Sequence, residues 1–261
     1  MKFGFNPFLC APDKIGAEKY ADLKALGFDY VEPSLEAIDR LPEDEFEALV
    51  KTVKSSGLPL ESGVEPFPKG TSFTATNSDL DLANKITERV FTKAARLGMK
   101  SFVYGGICRP YDKDVLLKKA WDHSVVMLKN MADIAAPLGI RILVEPVKRA
   151  VICNTIMESI IMVEEAKHPA VHGILVDYFH MDMQNEDMLK IVEAKDYILE
   201  AHISRPKIRS FPKIDEFDAF EPFVYALCKV PQNESITVEA LTEDLIPDSQ
   251  AALSALRQWF A

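Results

Sequence analysis

Short apolar runs alternate with longer amphipathic stretches along the whole chain. The apolar runs predict eight strands, near residues 3–6, 28–32, 58–64, 100–105, 140–145, 172–178, 198–203 and 235–239. The stretches after them predict eight helices, near 14–26, 43–56, 78–97, 114–138, 155–167, 185–195, 216–228 and 247–260. Segment 43–56 is representative, because it has an acidic first turn after Pro42 and apolar residues that repeat with the helical period. This alternation indicates a series of βα units.

A glycine stands where four of the predicted helices give way to the next strand, at Gly27, Gly57, Gly98 and Gly139. Glycine closes a helix there in the left-handed conformation. Eight strictly alternating units without a linker predict one α/β domain over 1–261, with the (β/α)8 TIM-barrel fold rather than an open doubly wound sheet. The first strand is not followed by a GxGxxG motif, which argues against a dinucleotide-binding fold.

Four of the apolar runs end on a residue that can bind a divalent metal. The runs read Ile-Leu-Val before Glu145, Ile-Leu-Val before Asp177, Ile-Leu-Glu-Ala before His202 and Ile-Thr-Val before Glu239. These residues are 25 to 37 positions apart, about one strand and one crossover helix. If each run is a buried parallel strand, the four side chains emerge at the same carboxyl edge, which forms the active site in barrels of this kind.

Three carboxylates that meet at one edge repel each other unless a cation lies among them. A set of Glu, Asp, His and Glu suits Mn²⁺, Mg²⁺, Co²⁺ or Zn²⁺. Any one of these residues has a structural alternative, because a carboxylate at a strand end often caps the following helix. Their occurrence on four successive strands favours a shared metal site at Glu145, Asp177, His202 and Glu239.

Composition narrows the possible partners. The chain has 30 Lys and Arg against 40 Asp and Glu, a net charge of −10, which argues against nucleic acid. No run approaches the ~18 apolar residues of a membrane span, and the N-terminus lacks the apolar run of a signal peptide. The 4 cysteines are isolated, as is typical of a reduced protein. We expect a cytoplasmic protein that acts on a small molecule, and the sequence leaves open whether it forms a homo-oligomer.

Motifs at the strand ends resemble a known family. They are Val144-Glu145-Pro146, Asp177-Tyr178-Phe179-His180-Met181, Ala201-His202-Ile203-Ser204 and, near the second strand, Phe28-Asp29-Tyr30-Val31-Glu32. Together they resemble the sugar phosphate isomerase/epimerase superfamily, a xylose isomerase-like TIM-barrel group. Within it, the ketose 3-epimerases and hydroxypyruvate isomerase are most similar, and the resemblance covers nearly the whole chain.

The resemblance implies a divalent metal, with Mn²⁺ as the first choice, bound by Glu145, Asp177, His202 and Glu239. It implies that Glu145 and Glu239 face opposite sides of the bound sugar and transfer its proton. The expected activity is therefore that of a metal-dependent isomerase or epimerase that acts on a small ketose, a sugar phosphate or a sugar acid.

The same resemblance implies substrate contacts. His180, past the end of the sixth predicted strand, is placed to bind a substrate oxygen, and Arg209 matches an Arg-x-x-Pro motif after the seventh. Arg149 keeps the arginine of a Glu-Pro-x-Asn-Arg-x-Glu motif at the fifth strand. Apart from the resemblance, the positions of Glu32 at the end of the second strand and of Glu65 after the third make them further candidates for contacts with substrate or with the metal ligands.

The expected chemistry has a physical basis apart from the family. A proton α to a carbonyl is too weakly acidic for a free carboxylate to remove quickly, and a metal at the carbonyl and hydroxyl oxygens stabilises the developing enediolate. Two carboxylates on opposite faces then invert the carbon, since one removes the proton and the other returns it. Return at the neighbouring carbon gives isomerisation instead.

Two departures bear on the substrate. Lys148 and Val151 replace the Asn and the second Glu of the fifth-strand motif, which weakens the case for a free ketohexose. The loops after strands four, five and seven carry several cations, namely Arg109, Lys148, Arg149, Arg205, Lys207 and Arg209. These cations either attract an anionic substrate or are ordinary solvated loop charges.

Three other functions compete with this interpretation. A lyase on the same metal site, of the keto-inositol or dehydroshikimate dehydratase type, would remove the same proton but expel a hydroxyl group. A trinuclear zinc endonuclease needs more histidines than the 5 in this chain. A metal or sugar sensor without catalytic activity is the third.

Overall fold

The computed structural model describes residues 1–7, 15–68, 79–105, 116–242 and 244–261. The strands in this part of the chain are Lys2–Asn6 (β1), Tyr30–Val31 (β2), Ser101–Tyr104 (β3), Arg141–Val144 (β4), Val171–Asp177 (β5), Ile198–Ile203 (β6) and Ser235–Glu239 (β7). They form one parallel sheet in the order β2-β1-β7-β6-β5-β4-β3. The sheet curls so that its two ends approach each other, and the predicted TIM-barrel fold is confirmed.

Segment 58–64 lies between β2 and β3 and closes the cylinder. On one side the amide of Val31 donates to the carbonyl of Pro59 at 2.9 Å, and on the other the amide of Val103 donates to the carbonyl of Gly63 at 2.9 Å. Leu60 and Val64 form isolated bridges with Val31 and Ser34, and toward β3 the segment forms only separate hydrogen bonds, so the prediction of a regular strand is wrong here. Pro59 is one physical reason, because proline has no amide to donate to a strand ladder.

The α-helices of the described residues are Tyr20–Leu26 (α1), Leu35–Asp39 (α2), Glu43–Ser56 (α3), Leu80–Leu97 (α4), Leu117–Ala135 (α5), Ile156–Ala166 (α6), Tyr178–Gln184 (α7), Lys190–Glu193 (α8), Phe217–Leu227 (α9) and Leu245–Trp259 (α10). The four helix-ending glycines are left-handed as predicted, with φ between 67° and 94°. Among these helices, none is long and apolar enough to cross a membrane.

Two helical predictions are corrected. Of the helix expected over 185–195 only the short α8 is present, whereas α7, which precedes that range, and α2 were not predicted. In both cases a polar side chain begins the unexpected helix by accepting a hydrogen bond from its first turn. Ser34 accepts from the amide of Ala37 before α2, and Asp177 accepts from the amide of Phe179 before α7.

A small apolar layer lies inside the barrel, separate from the large core between sheet and helices. It consists of Val64, Val103, Leu143 and Leu175, with Leu199 packed against it. Leu143 and Leu175 precede Glu145 and Asp177 by two positions and therefore point the same way, because side chains alternate along a strand. The layer thus forms an apolar floor beneath the carboxyl ends of the strands.

Candidate metal centre and active site

Glu145, Asp177, His202 and Glu239 form one buried cluster at the carboxyl ends of β4 to β7. Each offers a ligand atom, and these atoms all lie within 4.8 Å of one another. Asp177 and Glu239 are the last residues of their strands, Glu145 directly follows β4, and His202 is next to last in β6. The sheet register places Asp177 directly beside His202. The structure therefore brings together the four residues that the sequence pattern singled out.

The donor atoms of this cluster fit a divalent cation. Three carboxylates and one imidazole are the ligand types that hard and borderline metals prefer, and all four side chains are buried. Gly105, just after β3, lies against the cluster, because a Cβ atom there would overlap the Oε2 atom of Glu145. The cluster could therefore hold such an ion, and the donor set does not select among Mn²⁺, Mg²⁺, Co²⁺ and Zn²⁺.

The imidazole of His202 is held between two carboxylates. Its Nδ1 atom lies 3.0 Å from Oε2 of Glu239, and its Nε2 atom lies 2.8 Å from Oε2 of Glu32. The side-chain amide of Asn6 donates to the same Glu32 oxygen at 2.9 Å. Nδ1 therefore faces the cluster, while β1 and β2 supply the groups on the opposite side of the ring. Sequence reasoning missed Asn6, although it ends β1 at the same barrel edge.

Burial and the neighbouring charges shift the pKa values of the cluster residues strongly. Burial raises the pKa of Glu145 well above its ordinary value. Burial opposes ionisation of Glu239 too, but Arg209 and His202 hold the pKa of that carboxyl far below its usual range. Burial alone would lower the pKa of His202, and the carboxylates of Glu32 and Glu239 raise it well above normal. Two carboxyl groups with opposite environments are typical of acid–base sites.

His180 lies on α7 with its ring directed at the cluster. Its Nε2 atom is 3.6 Å from Oδ2 of Asp177 and 3.8 Å from Oε1 of Glu145. Burial lowers the pKa of His180 to about 4, so the ring is neutral near pH 7. Its buried Nδ1 atom has no hydrogen-bond partner among the described residues. The ring therefore has hydrogen-bonding capacity to offer a ligand.

Arg209 supplies the positive charge closest to the carboxylates. Its Nη2 atom donates to Oδ2 of Asp177 at 3.2 Å and to Oε2 of Glu239 at 2.6 Å. Its backbone is left-handed, with φ of 48°, and its carbonyl accepts from the amide of Leu241 at 2.6 Å. Burial opposes its charge, but Glu239 and Asp177 raise the pKa of Arg209 above its usual value. This turn directs the guanidinium into the cluster.

Two of the predicted substrate residues are not part of the cluster. Arg149 is exposed and has left-handed backbone, with φ of 64°. Glu65 is also left-handed, with φ of 50°, and its carbonyl accepts from the amide of Glu36 at 2.9 Å. Arg109, predicted to belong to the basic rim, lies outside the described residues. The substrate contacts assigned to Arg149 and Glu65 stay predictions.

Comparisons with known proteins bear on the family. A family model described as xylose isomerase-like TIM barrel matches residues 20–230. D-Psicose 3-epimerase of Agrobacterium fabrum is 27% identical over 169 residues, which are 62% of this chain and 57% of that enzyme. The match thus spans less than two thirds of that relative. A probable ketose 3-epimerase of Synechocystis sp. is 24% identical over 254 residues, 92% of this chain and 84% of the relative.

A solved structure shares the whole fold. D-Psicose 3-epimerase from Clostridium cellulolyticum H10, in a structure with D-tagatose, superimposes with a TM-score of 0.87 at 18% identity, and the match covers 100% of this chain and 99% of that one. At this level of identity the likeness establishes the barrel architecture and leaves function to the site.

Proposed function

We propose, since the chain belongs to the xylose isomerase-like TIM-barrel family, that it is a divalent-metal-dependent epimerase or isomerase of a small ketose or a related sugar derivative. The observation that carries this proposal is the buried cluster, in which Glu145 and Glu239 lie with Asp177 and His202. Support also comes from the two relatives, which are both named as ketose 3-epimerases.

The residues that would hold the metal are Glu145, Asp177, His202 and Glu239. When bound, a divalent cation supplies positive charge beside the carbonyl and hydroxyl oxygens of the substrate, where negative charge develops as the α-proton leaves. The cluster is buried, so water competes little for these interactions.

Proton transfer is the task of Glu145 and Glu239. One carboxylate removes the proton from the carbon next to the carbonyl, and the carboxylic acid on the opposite face returns a proton to the same carbon, which inverts it. Return to the neighbouring carbon interconverts ketose and aldose. The two residues come from strands β4 and β7, which are separated in the sheet by β5 and β6. Their carboxylates thus approach the site from different parts of the barrel wall, as transfer on two faces of one carbon requires.

Binding and orientation of the sugar fall to His180 and Arg209. The neutral imidazole of His180 can donate a hydrogen bond to one substrate oxygen or accept one from a hydroxyl group. The guanidinium of Arg209 offers further donors beside Asp177 and Glu239. We expect these contacts to fix which carbon lies between the two carboxylates.

The test is turnover in D₂O by protein loaded with Mn²⁺, using a panel of ketoses, their phosphates and keto acids. We expect an epimerised or isomerised product that carries solvent deuterium at the inverted carbon, read by NMR and mass. A product lighter by one water would indicate the lyase instead. Metal-loaded protein that converts no member of the panel would contradict the proposal.

A further inference from the structure

We propose that Lys148 binds an anionic group of the substrate, a phosphate or a carboxylate, beside the metal centre. The inference rests on the proposed function, because it names the substrate class of the same site. It comes from a difference between Lys148 and the other described cations at this edge of the barrel.

The other cations are either paired with carboxylates or exposed to solvent. Arg209 is paired with Asp177 and Glu239, as described above. Arg205 is paired with Glu216 at 2.5 Å. The side chains of Arg149 and Lys207 are exposed, and nothing in the described part of the chain contacts their charged groups at ion-pair distance. Neutralised and solvated cations of these kinds contribute little to binding one specific anion.

Lys148 differs from both groups. Its side chain is half-buried, and its Nζ atom lies 3.8 Å from the centre of the Phe179 ring. Within the described ranges, no carboxylate lies at ion-pair distance from it. The aromatic ring attracts the ammonium group but satisfies none of its N–H donors with an oxygen. A charge that is partly withdrawn from water and lacks a counter-ion is one that an anionic ligand can stabilise.

The backbone holds Lys148 in a fixed turn. The amide of Val147 donates to the carbonyl of Cys153 at 3.1 Å. The side-chain amide of Asn154 donates to the carbonyls of Val147 and Ala150, both at 2.8 Å. These bonds bracket Lys148 on both sides, so little conformational entropy remains to be lost in this turn when a ligand binds.

Phe179 connects Lys148 to the metal centre. The ring stands two residues after Asp177, and Asp177 accepts a hydrogen bond from the Phe179 amide at 2.8 Å. The Cζ atom of Arg209 lies 4.6 Å from the centre of the same ring. Burial, and then the charges of Arg149 and Arg209, lower the pKa of Lys148. An anionic group bound to Lys148 would thus be separated from Asp177 and Arg209 only by the side chain of Phe179.

The test compares charged and neutral substrates in Lys148→Met, which removes the charge and keeps the chain length. Lys207→Met removes the same charge from an exposed position at this barrel edge and serves as the matched control. With Mn²⁺ bound, kcat/KM is measured for a neutral ketose, its phosphate and the corresponding sugar acid. We expect Lys148→Met to lower the ratio of kcat/KM for the charged sugar to kcat/KM for the neutral sugar by about tenfold or more. Lys148→Arg should restore part of this ratio, and Lys207→Met should leave it unchanged.

A charged-over-neutral ratio that is unchanged in Lys148→Met, or that falls equally in Lys207→Met, would overturn the proposal. The phosphate and acid arms identify which anion the site prefers. Calorimetric titration of the same sugars separates the two proposals. Anion binding that depends on Lys148 without any turnover would refute the epimerase alone, whereas turnover of the neutral ketose without charge preference would refute only the role of Lys148.

Discussion

The Nε2 atom of His202 lies 2.8 Å from the Oε2 atom of Glu32, and both side chains are buried. The two residues are far apart in sequence and come from the ends of β6 and β2. A carboxylate on one ring nitrogen orients the imidazole and leaves the other nitrogen available to a metal. Asn6 holds that carboxylate in turn at 2.9 Å.

Replacement of Glu32 should therefore weaken metal binding without removing a ligand. For Glu32→Gln we expect Mn²⁺ affinity to fall by about 10- to 100-fold, measured by isothermal titration. Glu36→Gln is the control, because Glu36 forms a surface ion pair with Arg40 at 3.1 Å. Equal Mn²⁺ affinity in Glu32→Gln and the unmodified protein would show that Glu32 does not position His202.

Replacement of either proposed proton-transfer residue should abolish turnover. We expect Glu145→Gln and Glu239→Gln to lose about 10²- to 10⁴-fold in rate, since neither amide can carry the proton. Metal content is measured in the same samples, so that loss of the ion is separated from loss of the acid or base. Glu234→Gln, exposed at the opposite end of the barrel, should keep its rate. Near-normal turnover in either site variant would exclude that residue from the reaction.

Removal of metal should lower the melting temperature. The cluster places three carboxylates together, and a bound cation stabilises only the folded arrangement. An ion at 100 times its Kd adds about 2.7 kcal/mol to the free energy of unfolding. We expect a chelator to lower Tm and Mn²⁺ to restore it, and Asp177→Asn to reduce that response. A melting temperature that does not change when any of the four candidate ions is added would argue against a metal site.

Glu200 should make the stability of the metal-free protein depend on pH. Burial, and then the charge of Glu32, raise the pKa of Glu200, whose carboxyl accepts from Ser101 at 2.7 Å. A raised pKa in the folded state means that this contribution is complete below the ordinary value of 4.5 and is lost as pH rises through the folded pKa. Glu200→Gln should therefore gain stability relative to the unmodified protein as the pH rises above 4.5.

Urea unfolding in the presence of a chelator at several pH values measures this difference. Because glutamine mimics the protonated acid, the difference in free energy of unfolding between the two proteins should increase as the pH rises. Glu61→Gln is a suitable comparison, since Glu61 is paired with Lys2 at 2.8 Å near the amino ends of the strands. A difference in free energy of unfolding that does not change with pH would mean that the pKa of Glu200 is not raised in the folded protein.

The sequence predicts the barrel and the grouping of the four candidate ligands because both follow from local patterns. Apolar runs identify buried strands. In a parallel sheet all strands end at the same edge, so the polar residues at the ends of these runs must lie at that edge. Asp177 shows where such reasoning stops, because the same side chain both ends β5 and begins α7. Only the second role explains why His180 is carried on a helix.

Other features depend on contacts that no local pattern encodes. The approach of Arg209 to Glu239 follows from a left-handed turn whose geometry is not visible in residue spacing. The contacts among Asn6, Glu32 and His202 join three strands that are distant in sequence. Lys148 is one of several loop cations in the sequence, and only the structure shows that it lies over Phe179 with no carboxylate of the described residues at ion-pair distance.

The irregular closure at 58–64 also determines how the cylinder opens. It meets the chain around β2 through isolated bridges and meets β3 through separate hydrogen bonds, whereas β4 to β7 are paired along ladders of three or more residue pairs. Amide hydrogen exchange should therefore be fastest along this seam and slowest in the wall that carries the four proposed ligands. We expect fluctuations that open the barrel at this seam to leave the opposite wall paired, so that the strands that carry the cluster unfold last.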